Sequence, residues 1–193
     1  DLQYCIGDDK NLETELITGT SVDYTWSFED GTNPPKDITP TINPETLVLN
    51  NLQPSNAGKY ILKITLIDDC GNPVVYNGFF NVAVFKAASA TKPQDEFFCD
   101  TDRDGFNQFN LPALKNAEIL NGLDASTFEV FYFNDLADAN TGSNPIVNPY
   151  TNQTAFSSET LYARVQNKNA PNACFAITDF IVEVNDLPIP VRP

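Results

Sequence analysis

The densest chemistry in this chain of 193 residues is the string Cys99-Asp-Thr-Asp-Arg-Asp-Gly-Phe106. Asp100, Asp102 and Asp104 alternate and are followed by Gly105, which is half of a calcium loop. Alternate carboxylates converge on one hard cation, the glycine permits a sharp turn, and the backbone carbonyl of Phe106 is a further candidate ligand. The string is not an EF-hand, because its twelfth position from Asp100 is Leu111, where a bidentate Glu is required, and no helical pattern flanks it. On a β scaffold the remaining oxygens would come from Asn107, water or a distant Asp. A solvated acidic turn, partly neutralised by Arg103, accounts for the same residues without an ion.

The four cysteines, Cys5, Cys70, Cys99 and Cys174, are the second chemical feature. No CxxC pair occurs and no histidine is present, so a zinc site is excluded in favour of disulfides. The expected arrangement is one bridge per domain, Cys5 with Cys70 and Cys99 with Cys174, tying the start of each domain to its last hairpin. A bridge closing a loop of about 70 residues is worth roughly 4 kcal/mol in the chain-entropy model. Disulfides imply an oxidising compartment and therefore export.

Composition removes other chemistries. The absence of histidine excludes Ser–His–Asp and Cys–His nucleophile systems. Lys+Arg 11 against Asp+Glu 26 gives a net charge of −15, which argues against nucleic acid as a partner. No apolar run approaches the length of a membrane span, so membrane insertion is not expected. Carboxylate pairs such as Asp68 with Asp69, or Asp100 with Asp102, sit on turns beside cysteines and give no sign of a glycosidase cleft. The chain is therefore expected not to be an enzyme.

The elements that would position these groups have a period of two. Tyr60, Leu62, Ile64 and Leu66 share one face of a strand whose other face carries Lys63 and Thr65, and the run from Phe79 to Phe85 follows after a turn. In the second half Leu161, Ala163 and Val165 point inward and Arg164 outward, followed by a turn carrying Cys174 and a strand with Phe180, Val182 and Val184 inward. Helical signal is confined to single turns at 114–120 and 135–140, the second with Asn134 as N-cap. Between the halves, Lys86-Ala-Ala-Ser-Ala-Thr-Lys-Pro-Gln-Asp95 has the composition of a linker. The expected fold is all-β, two tandem immunoglobulin-like β-sandwiches spanning 1–88 and 89–193.

Two strings in the first half carry a family resemblance. Tyr24-Thr-Trp-Ser-Phe-Glu-Asp-Gly-Thr32 resembles the Trp-x-Phe-Gly-Asp-Gly signature of polycystic-kidney-disease (PKD) domains, with Glu29 standing where that pattern has glycine. Asn56-Ala-Gly-Lys-Tyr60 is similar to the Gly-x-Tyr start of the penultimate strand in PKD and Ig-like folds. The resemblance implies that Trp26 and Phe28 alternate inward on a central strand. It also implies that Tyr60 ties its strand to a neighbouring loop through its hydroxyl. In the second half, the order runs from Asp104-Gly-Phe-x-x-Phe-x-Leu111 through Phe128-Glu-Val-Phe-Tyr-Phe133, Tyr150, Leu161-Tyr-Ala-Arg-Val165 and Cys174 to Val184-Asn-Asp-Leu-Pro188. Over residues 95–190 this resembles the repeat modules of flavobacterial gliding-motility adhesins of the SprB type. That likeness implies a non-catalytic, cell-surface array exported by type IX secretion, with neighbouring modules of the same chain as partners.

Cys5 so near the first residue, and the Pro-rich string Leu187-Pro-Ile-Pro-Val-Arg-Pro193, are what a piece of such an array would show. The alternative is a carbohydrate-binding module of a secreted polysaccharide-acting protein. Its partner would be surface polysaccharide, and its stacking platform would come from Tyr76, Phe131, Phe133, Tyr150 and Tyr162.

Overall fold

The alternating strings become strands, and the strands assemble in the same way twice. The computed structural model describes residues 1–14, 20–68 and 70–187. The chain divides into two units, Asp1–Ala87 and Ala88–Pro193. Each is an immunoglobulin-like β-sandwich in which the first strand runs parallel to the last. Asp69 and the Pro-rich residues 188–193 lie outside the described residues.

The first unit contains β1 (Leu2–Cys5), β2 (Lys10–Glu13), β3 (Thr20–Glu29), β4 (Lys36–Asp37), β5 (Thr46–Leu49), β6 (Gly58–Ile67) and β7 (Pro73–Phe85). One sheet has the order β1-β7-β6-β3-β4 and is faced by the pair β2-β5. Tyr60, Leu62, Ile64 and Leu66 are all buried, as a period of two requires. Trp26 is fully buried among Leu12, Leu47, Leu49 and Leu52, and its indole N–H donates to the Pro44 carbonyl at 2.8 Å. Phe28 packs against the edge of this core with its ring 4.7 Å from that of Tyr60. The Tyr60 hydroxyl donates to the Asn56 carbonyl at 2.8 Å, a tyrosine corner that anchors the loop before β6. Gly58 is needed at the start of β6, because a Cβ there would lie 2.5 Å from the Glu29 carbonyl oxygen.

The second unit contains β8 (Glu96–Asp100), β9 (Gln108–Phe109), α1 (Leu111–Leu120), β10 (Phe128–Phe133), α2 (Leu136–Thr141), β11 (Tyr150–Thr151), β12 (Ser158–Asn167) and β13 (Phe175–Asp186). The sheet order β10-β12-β13-β8 faces the short pair β11-β9. The first helix starts three residues earlier than the sequence suggests, and the second starts one residue later. Asn110 caps α1 by accepting from the Ala113 amide, with Pro112 in the first turn. Asp135, rather than Asn134, caps α2 by accepting from the Asp138 amide. Tyr132 holds α1 to the sheet by donating to Asn116 Oδ1 at 2.7 Å.

Arg164 does not point into solvent as its place in the alternation predicts; it is 1% exposed. Its guanidinium donates to the carbonyls of Ala139, Asn140 and Pro171 and lies 3.7 Å from the centre of the Phe175 ring. The sequence pattern could not show that α2 covers this face of the sheet.

Candidate functional site

The parallel first strand decides the cysteine chemistry. Cys5 is the last residue of β1 and stands opposite Phe85, the last residue of β7. Cys70 lies in the β6–β7 turn, just ahead of Pro73 at the other end of that strand. Twelve residues of extended chain at ~3.3 Å each put the two ends about 40 Å apart. A disulfide needs Cα atoms within ~7 Å, so Cys5 and Cys70 cannot be joined. The second unit repeats the geometry. Cys99 is opposite Asn185 near the end of β13, whereas Cys174 immediately precedes the start of that strand. The in-domain bridges expected from sequence are therefore corrected. Cys5 and Cys174 are each disulfide-bonded, and Cys70 and Cys99 are exposed free thiols. An antiparallel first strand would have placed each strand cysteine beside its hairpin turn.

Each cysteine is held by its backbone. The Cys5 amide donates to Asp8 Oδ2 at 3.1 Å. The Cys70 amide donates to Asp68 Oδ1 at 2.9 Å, in a turn completed by the Asn72 amide on the same oxygen. These bonds, the Asn72 amide foremost, hold the Asp68 carboxyl below its ordinary range. The Cys174 amide donates to the Ala170 carbonyl at 2.8 Å, and its carbonyl accepts from the Asn167 amide.

The acidic loop that follows Cys99 is a ladder of carboxylates closing on amides further along the chain. Asp100 is buried, and its two oxygens accept from the amides of Asp102 (3.1 Å) and Gly105 (2.7 Å). Asp104 Oδ1 accepts from the Phe106 amide at 2.8 Å. One oxygen each from Asp100, Asp102 and Asp104 lie within 4.8 Å of one another. The Gly105 amide, first among several hydrogen bonds, holds the Asp100 carboxyl below the usual carboxylate range. Asp102 is pushed up, chiefly through a side-chain hydrogen bond with Asp100 and secondarily through the charge of Asp104.

Asn152, which sequence reasoning did not single out, clamps this loop. Its amide nitrogen donates to the Gly105 and Thr154 carbonyls, and its oxygen accepts from the Asn107 amide. Gly105 has φ +83°, and a Cβ there would lie 2.5 Å from that of Ala155. A buried asparagine in a loop 45 residues from its partner leaves no signal in one sequence.

The aromatic residues proposed as a sugar platform are divided between the units. Tyr76 is 51% exposed on β7, whereas Phe133 and Tyr150 are buried and Phe131 and Tyr162 are half-buried. The Tyr150 hydroxyl is turned inward as donor to Glu159 Oε2, and burial pushes its pKa up. No helix among the described residues is long and apolar enough to cross a membrane.

Residues 95–188, just under half of the chain, match a family described as the Flavobacterium inter-domain disulphide bond domain. No curated protein matches the chain. Among solved structures, the V domain of amphioxus IgVJ-C2 is 18% identical over 44% of this chain and 99% of its own, with a TM-score of 0.32. Fibronectin(III)-like modules of Clostridium thermocellum CbhA are 14% identical over 95% of this chain and 89% of theirs, TM-score 0.39. Immunoglobulin domains 1–4 of Sidekick-1 are 14% identical over 96% of this chain, TM-score 0.36, and the chain spans 45% of their length.

Proposed function

We propose that this chain is a non-catalytic, disulfide-bearing pair of modules from a large secreted cell-surface adhesin. The observation that carries this reading is the oxidation pattern. Each unit has one bonded cysteine and one free thiol. The family matched by residues 95–188 is named for a disulphide bond.

Disulfide-bearing sandwiches suit a filament that holds an adhesive region away from the cell in surface attachment or gliding. Extracellular display fits because disulfides persist in oxidising compartments. Export by type IX secretion is part of the proposal and rests on the resemblance of residues 95–190 to the gliding adhesins.

Calcium is proposed at Asp100, Asp102 and Asp104, with the Phe106 carbonyl as a further ligand. Oxygens within 4.8 Å of one another can share an ion whose bonds are ~2.4 Å long, so the donor set fits a hard cation. Titration calorimetry should show binding heat, and unit 2 should melt at a lower temperature in EDTA. No heat and no change in melting would remove calcium from the assignment.

Alkylation and peptide mapping without reductant test the oxidation pattern: Cys70 and Cys99 are expected to be alkylated and Cys5 and Cys174 protected, and four alkylated cysteines would overturn the disulfide-bearing module.

A further inference from the structure

The short pair β9–β11 has two faces. Phe109 and Tyr150, partners in register, are buried in the core of the second unit. Gln108 and Thr151, the other two partners, stand side by side on the opposite face, and both are exposed. A cleft of about 360 Å³ opens there, lined by these two residues together with Asp104, Phe106 and Asn107. Its volume falls in the range of small-ligand sites, ~300–1,000 Å³.

Uncommitted hydrogen-bonding capacity sets this cleft apart. Around it, Asp100, Asp104 Oδ1 and Asn152 are all engaged with backbone groups. The side chains of Asn107, Gln108 and Thr151 have no hydrogen-bond partner among the described residues, although the backbone of each is held. A second cleft of the same unit, about 250 Å³, shows the contrast. Its one carboxylate, Glu159, already accepts from the Tyr150 hydroxyl and from the amides of Gln153 and Thr154.

We infer that the cleft on β9–β11 binds a neutral glycan. Carboxamide groups and a hydroxyl both donate and accept, so Asn107, Gln108 and Thr151 match the mixed donors and acceptors of sugar hydroxyls. The ring of Phe106, 42% exposed, offers its electron-rich face to the C–H side of a pyranose. None of the residues lining the cleft is cationic and Asp104 is one of them, so a uronate, sulfate or phosphate group finds no counter-charge. The net charge of −15 acts in the same direction. Paired strands and the Asn152 clamp hold the readers in place, which keeps the ordering cost of binding low. Recognition here goes beyond the structural role proposed above and needs neither the disulfides nor an ion in the carboxylate loop. Tyr76, expected from sequence to belong to a stacking platform, takes no part in it.

Affinity gel electrophoresis of the full chain is the test. A β-glucan, a mannan or a galactan is cast in the gel, with alginate as an acidic counterpart and EDTA throughout. Retardation by at least one neutral polysaccharide, and none by alginate, is expected. Asn107→Ala and Gln108→Ala each remove side-chain hydrogen bonds to the sugar and should weaken binding about two- to tenfold. Thr151→Val keeps the shape of the side chain and should weaken it by a similar factor with the melting temperature unchanged. Phe106→Ala combined with Gln108→Ala should abolish retardation, and Tyr76→Ala should leave it as in the parent. No retardation by any of the three neutral polysaccharides, or stronger retardation by alginate, would overturn the glycan site. So would retardation that survives the combined variant, or that is lost in Tyr76→Ala.

Discussion

Lys63 and Arg164 hold matching places in the two sandwiches and meet opposite environments. Each follows the core residue of the penultimate strand that stands opposite a buried aromatic: Leu62 opposite Trp26, and Ala163 opposite Tyr132. Lys63 is exposed beside Thr25, and the described residues of its unit form no α-helix to cover it. Arg164 is buried beside Phe131 because α2 covers that face in the second unit. A short helix brings carbonyls in its last turn that have no partner of their own. Those of Ala139 and Asn140 accept from Arg164, whose fixed fork of donors can satisfy several acceptors at once. Burial lowers its pKa, yet a guanidinium remains charged throughout the accessible range. One register position is thus a solubilising cation in one unit and a structural cross-brace in the other.

The largest effect expected from breaking this comparison is on the aromatic side of the pair. Trp26→Ala empties the centre of the first unit and should cost about 3–5 kcal/mol. Tyr132→Phe removes only the hydroxyl bonds to Asn116 and Leu111 and should cost about 1 kcal/mol. Hydrogen exchange resolved by peptide is the measurement, with protection lost in β6 and β7 for the first variant and modestly reduced in α1 for the second. Equal effects would show that the two aromatics do the same work.

Next in size is the cation itself. Arg164→Met leaves the carbonyls of Ala139, Asn140 and Pro171 without their donor and should cost about 2–4 kcal/mol, whereas Lys63→Met should change stability by no more than about 0.5 kcal/mol. Trp26 is the single tryptophan, so its emission reports the first unit while exchange in β12 reports the second. A shift of the tryptophan midpoint in Arg164→Met as large as the loss in β12 would mean that the units unfold together and would remove the distinction.

Much of the sandwich was legible because period two survives in β6, β12 and β13: Leu62, Ile64, Leu161, Ala163, Val165 and Val182 are buried as their spacing requires. The Tyr60 corner was legible for the same reason, being a local signal read within four residues. Arg164 was not, because burial on the second face of a sheet depends on a helix whose packing no local pattern encodes. The cysteine pairing failed on topology. Whether the first strand runs parallel or antiparallel to the last reverses which end of the sheet its cysteine occupies, and the side-chain alternation is the same either way. The carboxylate string was visible at once, but its clamp by Asn152 was not, since that contact is made through tertiary structure alone.

A smaller effect tests the turns that follow the two strand cysteines. Gly7 and Gly105 both have positive φ, +93° and +83°, but only at Gly105 would a Cβ strike neighbouring atoms. Gly7→Ala should cost about 1 kcal/mol from backbone conformation alone, and Gly105→Ala about 2–4 kcal/mol because the loop must also move away from Ala155. Thermal unfolding of both variants checks the difference. Equal losses would show that the acidic loop yields more freely than its clamp suggests.

The smallest effect is the pH dependence of that loop, and its two carboxylates pull in opposite senses. Asp100 has a folded pKa below its unfolded value, so its stabilisation is present above the ordinary carboxylate range, ~3.9, and is lost as pH falls through the depressed folded value. Asp102 is raised, so its contribution is present below ~3.9 and is lost as pH rises through the elevated folded value. Asp102→Asn removes a negative charge from the cluster and should therefore raise stability at neutral pH more than at pH 3, where Asp102 is protonated in any case. Asp100→Asn, which offers one acceptor to two amides, should lower stability at neutral pH and flatten the acid limb. Melting of the two variants and the parent between pH 2 and 7 separates the terms. If Asp102→Asn gains nothing at neutral pH, the three carboxylates do not repel one another in the folded loop, and the electrostatic case for a divalent ion there weakens with them.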